Sequence, residues 1–389
     1  MTPPLNHITD QVRAGLANKT PLRIRGGGSK DFYGGALQGD LLETTTLNGI
    51  VNYEPSELVV TVRAGTPLAE LEAALAEQGQ CLPFEPPHYG EAQATVGGMV
   101  AAGLAGPARA AVGGVRDYVL GLELLNGRAE LLRFGGTVMK NVAGYDVSRL
   151  MVGAMGTLGL ITEVSLKVLP VASAEATLKF VVNEADAIRQ LNTWAGQPLP
   201  LNASSWVVDA GVPMLYLRLR GAVAAVEAAC SMFVTKHGGA RVDSPATHAD
   251  WSAARDLKLP WFAEGFQGGQ DLWRVSVPPT APPLNLGDTM IDWFGGQRWL
   301  WMPPGDEKAA QNLAKMAQSA SGNASLFIAA YAHNSRPHGL NGLKNSDLAI
   351  ARPHQTTRTA NDSVAAISRR LKDEFDPLGI FNPGRLTPG

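Results

Sequence analysis

Three glycine-dense stretches hold most of the residues whose types and spacing suit binding chemistry. The first, RGGGSKDFYGG, sets Gly26, Gly27 and Gly28 directly before Ser29. The second runs from Ala94 to Asp117 as ATVGGMVAAGLAGPARAAVGGVRD. The third runs from Met139 to Glu163 as MKNVAGYDVSRLMVGAMGTLGLITE. Glycine weakens helix and strand interiors, so this density makes sense where backbone must approach a large ligand closely. Successive N–H groups in turn conformations form concave anion sites suited to a pyrophosphate. Taken singly, GGGS is a plain turn, and GAMGTLG spaces its glycines by three. The dinucleotide fingerprint G-x-G-x-x-G and the phosphate loop G-x-x-x-x-G-K-[ST] are both absent, so nucleotide binding must rest on another fold.

Bulk properties narrow the classes. The chain has 389 residues, 33 basic and 35 acidic, with a net charge of -2, so overall charge gives no support to a general polyanion-binding role and leaves only a local patch. Cys81 and Cys230 are far apart and lack metal or redox spacing, so they read as small buried hydrophobes in a reducing compartment. MTPPLNHITDQVRAGL has no basic region ahead of an apolar run, hence no secretory signal. The charge-free segment from Ala92 to Ala108 is rich in glycine and contains Pro107, which suits a buried loop system better than a membrane span. The expectation is a soluble, cytoplasmic protein with no direct membrane insertion and no nucleic-acid partner.

The elements that must position these loops can be read from pattern. Leu5, Ile8, Val12 and Leu16 recur at helical spacing. LRI reads as a strand entering the first glycine loop, and Leu58 to Gly65 as a β-branched strand. Thr66 is placed to cap a helix with Pro67 in its first position; Leu68, Leu71 and Leu75 share one face, and Gly79 ends it. YVLGLELL and RAELLRF flank Asn126-Gly127, which predicts a hairpin with positive φ at both turn residues. Leu160 to Pro170 alternates as another strand. After about Ala172 the order strand, helix, strand, strand, helix predicts a ferredoxin-like layer, with a further strand near Val242. LWRVSVPP and RWLWMPP, a helix over 306–320, SLFIAAYA and a last helix over 361–375 follow.

The order GGGS, then PFEPPHYGEAQATVGGMVAAGLAGPAR and GGVRDYVLGLELLNG, then KNVAGYDVSRLMVGAMGTLGLITEV resembles the FAD-binding domain of the vanillyl-alcohol-oxidase, or PCMH, type. The ending FDPLGIFNPGRL is similar to that family's ending. Within it, PFEPPH, GPARAAVGGVRD and VMKNVAGYDVSRLMVGAMGTLG most resemble the FAD-binding subunits of bacterial glycolate oxidases. The resemblance implies an α+β fold: a two-part PCMH-type FAD domain over 1–171, a ferredoxin-like α+β cap over 172–360, and a C-terminal helix and tail over 361–389 returning to the FAD domain. It implies that Gly26, Gly27, Gly28 and Ser29 form the first pyrophosphate loop. Thr95, Val96, Gly97 and Gly98 would run beside the ribityl chain and diphosphate. Gly106, Arg109 and Arg116 match a glycine-arginine stretch near the diphosphate, where positive charge is favourable; surface or structural ion pairs are the alternative for both arginines. Gly156 and Ile161 match the adenosine side, and Asn382 the neighbourhood of the flavin ring. Lys140 and Tyr145 would face the flavin, with Lys140 holding a substrate carboxylate or a flavin carbonyl, or packing at a loop exit.

Departures from the family are informative. Ser29 and Lys30 stand where members with covalent flavin offer histidine or cysteine, so the FAD is expected to be noncovalent, with His88 the one remaining candidate for a link. The histidine and glutamate cluster that related hydroxy-acid dehydrogenases place around a metal is not found among His237, His248, His333, His338 and His354, so no metal is expected. This favours a companion as the dehydrogenating site and this FAD as a relay or second centre. Trp299 and Trp301 alternate on one strand face and read as core or interface. The basic run His333 to Arg358, in which Arg336, Lys344, Arg352 and Arg358 face only Asp347, suggests docking to a companion subunit. The resulting expectation is an FAD-binding subunit of a glycolate-oxidising complex, with a second FAD-binding subunit, an iron–sulfur subunit and a small 2-hydroxy acid as partners. A stand-alone hydroxy-acid or alcohol dehydrogenase and a flavin-free scaffold are the alternatives.

Overall fold

The structure, a computed structural model, describes residues 2–89, 94–136, 147–242, 247–330 and 362–386. Its first helix, α1 (Pro3–Asn18), buries Leu5, Ile8 and Val12 along one stripe. That stripe packs on a parallel pair, β1 (Leu22–Arg25) and β2 (Asp40–Glu43). An antiparallel sheet follows, from β3 (Ile50–Glu54), β4 (Val59–Arg63), β6 (Val119–Leu125), β7 (Leu131–Gly135) and β8 (Leu160–Lys167), in the order β3-β4-β8-β6-β7. The short β5 (Gln80–Cys81) pairs with β9 (Leu169–Pro170). Between β4 and β6 lie α2 (Leu68–Glu77), α3 (Val96–Ala102), α4 (Arg109–Val112) and α5 (Val115–Tyr118).

The second region is one eight-stranded antiparallel sheet. Its strands are β10 (Ala174–Val181), β11 (Leu201–Asp209), β12 (Val212–Gly221), β13 (Ala240–Arg241), β14 (Asp271–Ser276), β15 (Thr289–Asp292), β16 (Gln297–Met302) and β17 (Asn323–Ile328). The order β13-β10-β12-β11-β15-β16-β14-β17 is two four-stranded units of mirrored order, joined where β11 meets β15. The first unit is the ferredoxin-like pattern read from the sequence, with α6 (Glu184–Ala195) and α7 (Val223–His237) on its face. The second repeats that order with α10 (Glu307–Ser319) before β17, but an irregular segment replaces its first helix. Two helices unmarked in the sequence reading, α8 (Thr247–Arg255) and α9 (Pro260–Gln267), connect the units.

Strand alternation decides what this sheet shows the first region. In LYLRLR of β12, Leu215, Leu217 and Leu219 join the core beneath α6 and α7, which turns Arg218 and Arg220 to the opposite face. On β14, Trp273 and Val275 pack under α10, which turns Arg274 the same way.

Two turns differ from expectation. Thr66 does not cap α2: Pro67 holds the cap position, and the Thr66 hydroxyl accepts from the Gly49 N–H at 2.9 Å. The β6–β7 loop is not a two-residue turn. The Asn126 Oδ1 accepts from the N–H of Arg128 (2.9 Å) and Glu130 (3.0 Å), and Ala129 takes the positive φ. Gly127 is needed for a different reason, since a Cβ there would lie 2.5 Å from Asp376 Oδ1. That carboxylate anchors the end of α11 (Asp362–Phe375), accepting from Ile380 N–H (3.1 Å) and Phe381 N–H (2.8 Å). Phe381 then bridges to Leu22 as a parallel neighbour of β1, so the C-terminal segment lies against the chain's beginning.

Candidate functional site

The glycine-rich stretches meet along one cleft of about 760 Å³, part of it open to solvent. Gly26, Gly27, Gly28 and Ser29 line it from the first loop, and Thr95, Gly97 and Gly98 from the start of α3. Gly156 and Ile161 line it from the third stretch, and Asn382 from the C-terminal segment. Val96, expected with them, turns instead into the fully buried core beneath the five-stranded sheet. Gly26 shows why the loop cannot carry side chains: a Cβ would stand 2.3 Å from the Thr95 Oγ1. That hydroxyl is itself engaged, accepting from the Gly98 N–H at 3.2 Å as the cap of α3. The two loops touch backbone to side chain, and bare backbone is left facing the cleft.

Among the described residues, charge in the lining comes from Arg25, Lys30 and Arg385 against Asp31. Arg25 Nε pairs with Asp31 Oδ2 at 2.8 Å. Lys30 is 9% exposed, and burial draws its ammonium down to about 8, with Asp256 acting in the other direction. Its Nζ lies 5.7 Å above the Tyr89 ring and donates to Ser29 Oγ at 3.3 Å. Buried Arg385 pins the first loop by donating to the carbonyls of Gly35 (2.6 Å), Tyr33 (2.5 Å) and Asp31 (3.2 Å). Asn382 is a bridge: its Oδ1 accepts from Ile24 N–H (2.7 Å) and its Nδ2 donates to Met155 carbonyl (2.6 Å), tying β1 to the third stretch. Leu37, Ala101, Ala102, Met155 and Ile161 complete the lining with apolar surface. Bare backbone, buried cations and small apolar groups together fit a cofactor with an anionic diphosphate and a flat ring. Lys30 and Arg385 were missed as site residues; GGGSK and the FNPGRL ending were the available signals.

Gly106, Arg109 and Arg116, expected at the diphosphate, lie elsewhere. α3 ends at Gly103 in a left-handed turn and carries the chain out of the cleft toward the large sheet. There the Gly106 carbonyl accepts from Trp293 Nε1 at 3.0 Å, and Arg109 stacks on the Trp293 ring at 4.6 Å. Arg116 is exposed on α5. Lys140 and Tyr145 fall outside the described residues, as does the basic run 333–358. His88 does not line the cleft; its Nε2 sits 2.8 Å from Glu72 Oε2. No group of three or more potential metal ligands occurs among the described residues. Trp299 and Trp301 join an aromatic cluster with Trp261, Phe262 and Phe327 and do not line the cleft.

Where the two regions meet, charge is dense. Glu85, of PFEPPH, takes a left-handed backbone (φ 49) and accepts from Arg218 Nη2 (2.7 and 2.8 Å) and Arg220 Nη1 (3.1 Å) on β12. Its Oε2 also accepts from the Ala108 N–H at 3.1 Å. Burial lowers Arg218 from its ordinary value, opposed by Glu85. Arg220 also pairs with Glu175, and Arg255 with Asp256 at 2.8 Å. Asp256 accepts from the His88 N–H at 2.8 Å.

Residues 6–135 match the family model described as an FAD binding domain. Over 380 residues the chain is 42% identical to glycolate oxidase subunit GlcE of Escherichia coli (strain K12), spanning 97% of this chain and 96% of that one. The chain belongs to the GlcE family. This places it among FAD-binding oxidoreductases, with FAD as the cofactor. Glycolate oxidase subunit GlcD of Bacillus subtilis (strain 168) is 32% identical over 176 residues, 44% of this chain and 36% of that one. D-2-hydroxyglutarate dehydrogenase of Xanthomonas citri pv. viticola is 25% identical across 93% of this chain and 83% of its own length. Among solved structures, alkyldihydroxyacetonephosphate synthase shares the fold of this GlcE-family chain with a TM-score of 0.61 at 14% identity, covering 97% of this chain and 74% of that one. No helix among the described residues is long and apolar enough to cross a membrane.

Proposed function

We propose that the chain is the FAD-binding subunit of a complex that oxidises glycolate to glyoxylate. The observation that carries this reading is the 42% identity to the E. coli GlcE subunit along almost the whole of both chains. Bound FAD supplies the electron chemistry. The protein's part is to hold it noncovalently: Gly26 to Ser29, Thr95, Gly97 and Gly98 around the diphosphate with Lys30 as the nearby cation, and Gly156 and Ile161 toward the adenosine half. With two cysteines the chain cannot build an iron–sulfur cluster of its own, so electrons pass to an iron–sulfur subunit, alongside a second FAD-binding subunit. In this reading 1–171 and 361–389 form the FAD-binding unit and 172–360 the cap.

The test is the visible spectrum of the purified full chain, followed by glycolate addition to the assembled complex. A flavin spectrum that acid precipitation releases into the supernatant, and that bleaches with glycolate in the complex, is expected. A colourless chain overturns the reading, and flavin retained in the pellet overturns its noncovalent part. Gly27→Leu is expected to give folded chain that has lost most of its flavin.

A further inference from the structure

A second cavity lies between the two regions, lined by Tyr89 and Gly106 from the first and by Arg274, Asp292, Trp293 and Trp299 from the large sheet. It shares a wall with the FAD cleft, because the Tyr89 ring that lines it lies under the Nζ of Lys30, which lines the cleft. Arg274 is its unusual member. Its Nη2 donates to the Tyr33 hydroxyl at 3.0 Å, and its guanidinium lies 5.7 Å from the Tyr33 ring and 5.0 Å from the Phe327 ring. Its Nε is buried and has no hydrogen-bond partner among the described residues. Three other arginines of the seam have carboxylates, Glu85 for Arg218 and Arg220 and Asp256 for Arg255, while Arg109 stacks on Trp293. Arg274 pairs with none among the described residues. A half-buried guanidinium of this kind gains charge-assisted hydrogen bonds from a carboxylate arriving with a ligand.

The cavity also offers an acceptor. The half-buried Asp292 carboxylate lines it, oriented by Trp299 Nε1, which donates to Oδ2 at 2.9 Å. A cation with a free donor and an oriented carboxylate acceptor are complementary to a molecule bearing one carboxylate and one hydroxyl. The cavity is about 370 Å³, part of it open to solvent, against about 760 Å³ for the cleft. That space admits a small acid.

We propose that this cavity binds a small 2-hydroxy monocarboxylate, with Arg274 holding the carboxylate and Asp292 accepting from the hydroxyl. The choice of a hydroxy acid rests on the function proposed above, whereas the carboxylate requirement stands on Arg274 alone. The site gives this subunit a substrate-class pocket of its own beside its cofactor cleft.

Trp293 and Trp299 line the cavity, so tryptophan fluorescence of the full chain reports its filling. Glycolate, acetate and the neutral amide glycolamide are titrated separately into wild type, Arg274→Met, Arg274→Lys and Asp292→Asn. Wild type is expected to bind glycolate saturably and glycolamide at least about tenfold more weakly. Arg274→Met loses both the affinity and the preference for the anion, and Arg274→Lys restores part of the preference. Asp292→Asn changes glycolate binding more than acetate binding. Equal binding of glycolate and glycolamide by wild type, a result that needs no variant, overturns the proposal. So does unchanged glycolate binding in an Arg274→Met chain whose melting temperature and flavin content match wild type. A flavin that bleaches with glycolate while these titrations fail removes this site and leaves the proposed function intact. A colourless chain that still prefers glycolate removes the proposed function and leaves the anion site.

Discussion

The glycine-lined cleft and the seam beside it draw on neighbouring stretches of chain but use different materials. At the cleft, the first loop and the start of α3 present glycine backbone, and the loops hold one another through Thr95, Asn382 and Arg385. On either side of α3 in the chain, the seam is held by side-chain charge, with Glu85 between Arg218 and Arg220 and Trp293 between Gly106 and Arg109. A backbone-built wall fails by steric intrusion or loss of a tie, and a charge-built seam fails by leaving an ion unpaired. The two should therefore respond to different substitutions, and to pH differently.

The largest effect is expected at the seam. Glu85→Ala strands Arg218, whose side chain is 2% exposed, without its carboxylate. A loss of about 3–5 kcal/mol is expected in denaturant unfolding; a loss below about 1 kcal/mol would mean that the seam is not held by charge. At the cleft, Asn382→Ala frees the Ile24 N–H and the Met155 carbonyl together, which predicts a loss of about 2–3 kcal/mol and weaker flavin retention. Retained flavin with lowered stability would separate the tie from the cofactor.

A pH experiment sharpens the contrast. Burial pushes Asp292 up to about 6, opposed by the hydrogen bond from Trp299 Nε1. Because the folded value lies above the unfolded one, this group favours the fold fully below about pH 4, and that contribution is lost as the pH rises through about 6. Asp292→Asn carries no such term. Between pH 4 and 7 the stability difference should move toward the variant by about 2 kcal/mol, less than full burial implies because the cavity admits water. A pH-independent difference would contradict the shift. The smallest effect is Gly156→Ala. Its φ is 70° and a Cβ would meet Asn382 Nδ2 at 2.7 Å, so about 1–2 kcal/mol of strain is expected, visible in the melting temperature. A neutral result would mean the third stretch can shift without disturbing the tie.

Legibility followed the range of the interactions. α1, β4, α6 and α7 carry their own periodicity, and Asn183 caps α6 by accepting from the Asp186 N–H as its position suggested. The mirrored second unit of the large sheet was not legible, because β15 is four residues long and no helix leads to it. At the site, glycine density pointed to the loops, but Arg109 and Arg116 carry no sign of which way α3 would send the chain. Glu85 stood in a quoted motif with no hint of Arg218, a partner 133 residues away.

By itself the sequence determined the local elements, the glycine loops that leave backbone bare, and the family to which the chain belongs, because propensity, capping and motif order act over a few neighbouring residues. Only the tertiary structure decided which cations face the cleft, that Asn382 is a tie, that Gly127 serves Asp376, and that Arg274 reaches a cavity while having no carboxylate partner among the described residues. Those outcomes depend on packing between elements far apart in the chain, where desolvation and pairing are settled by which surfaces meet.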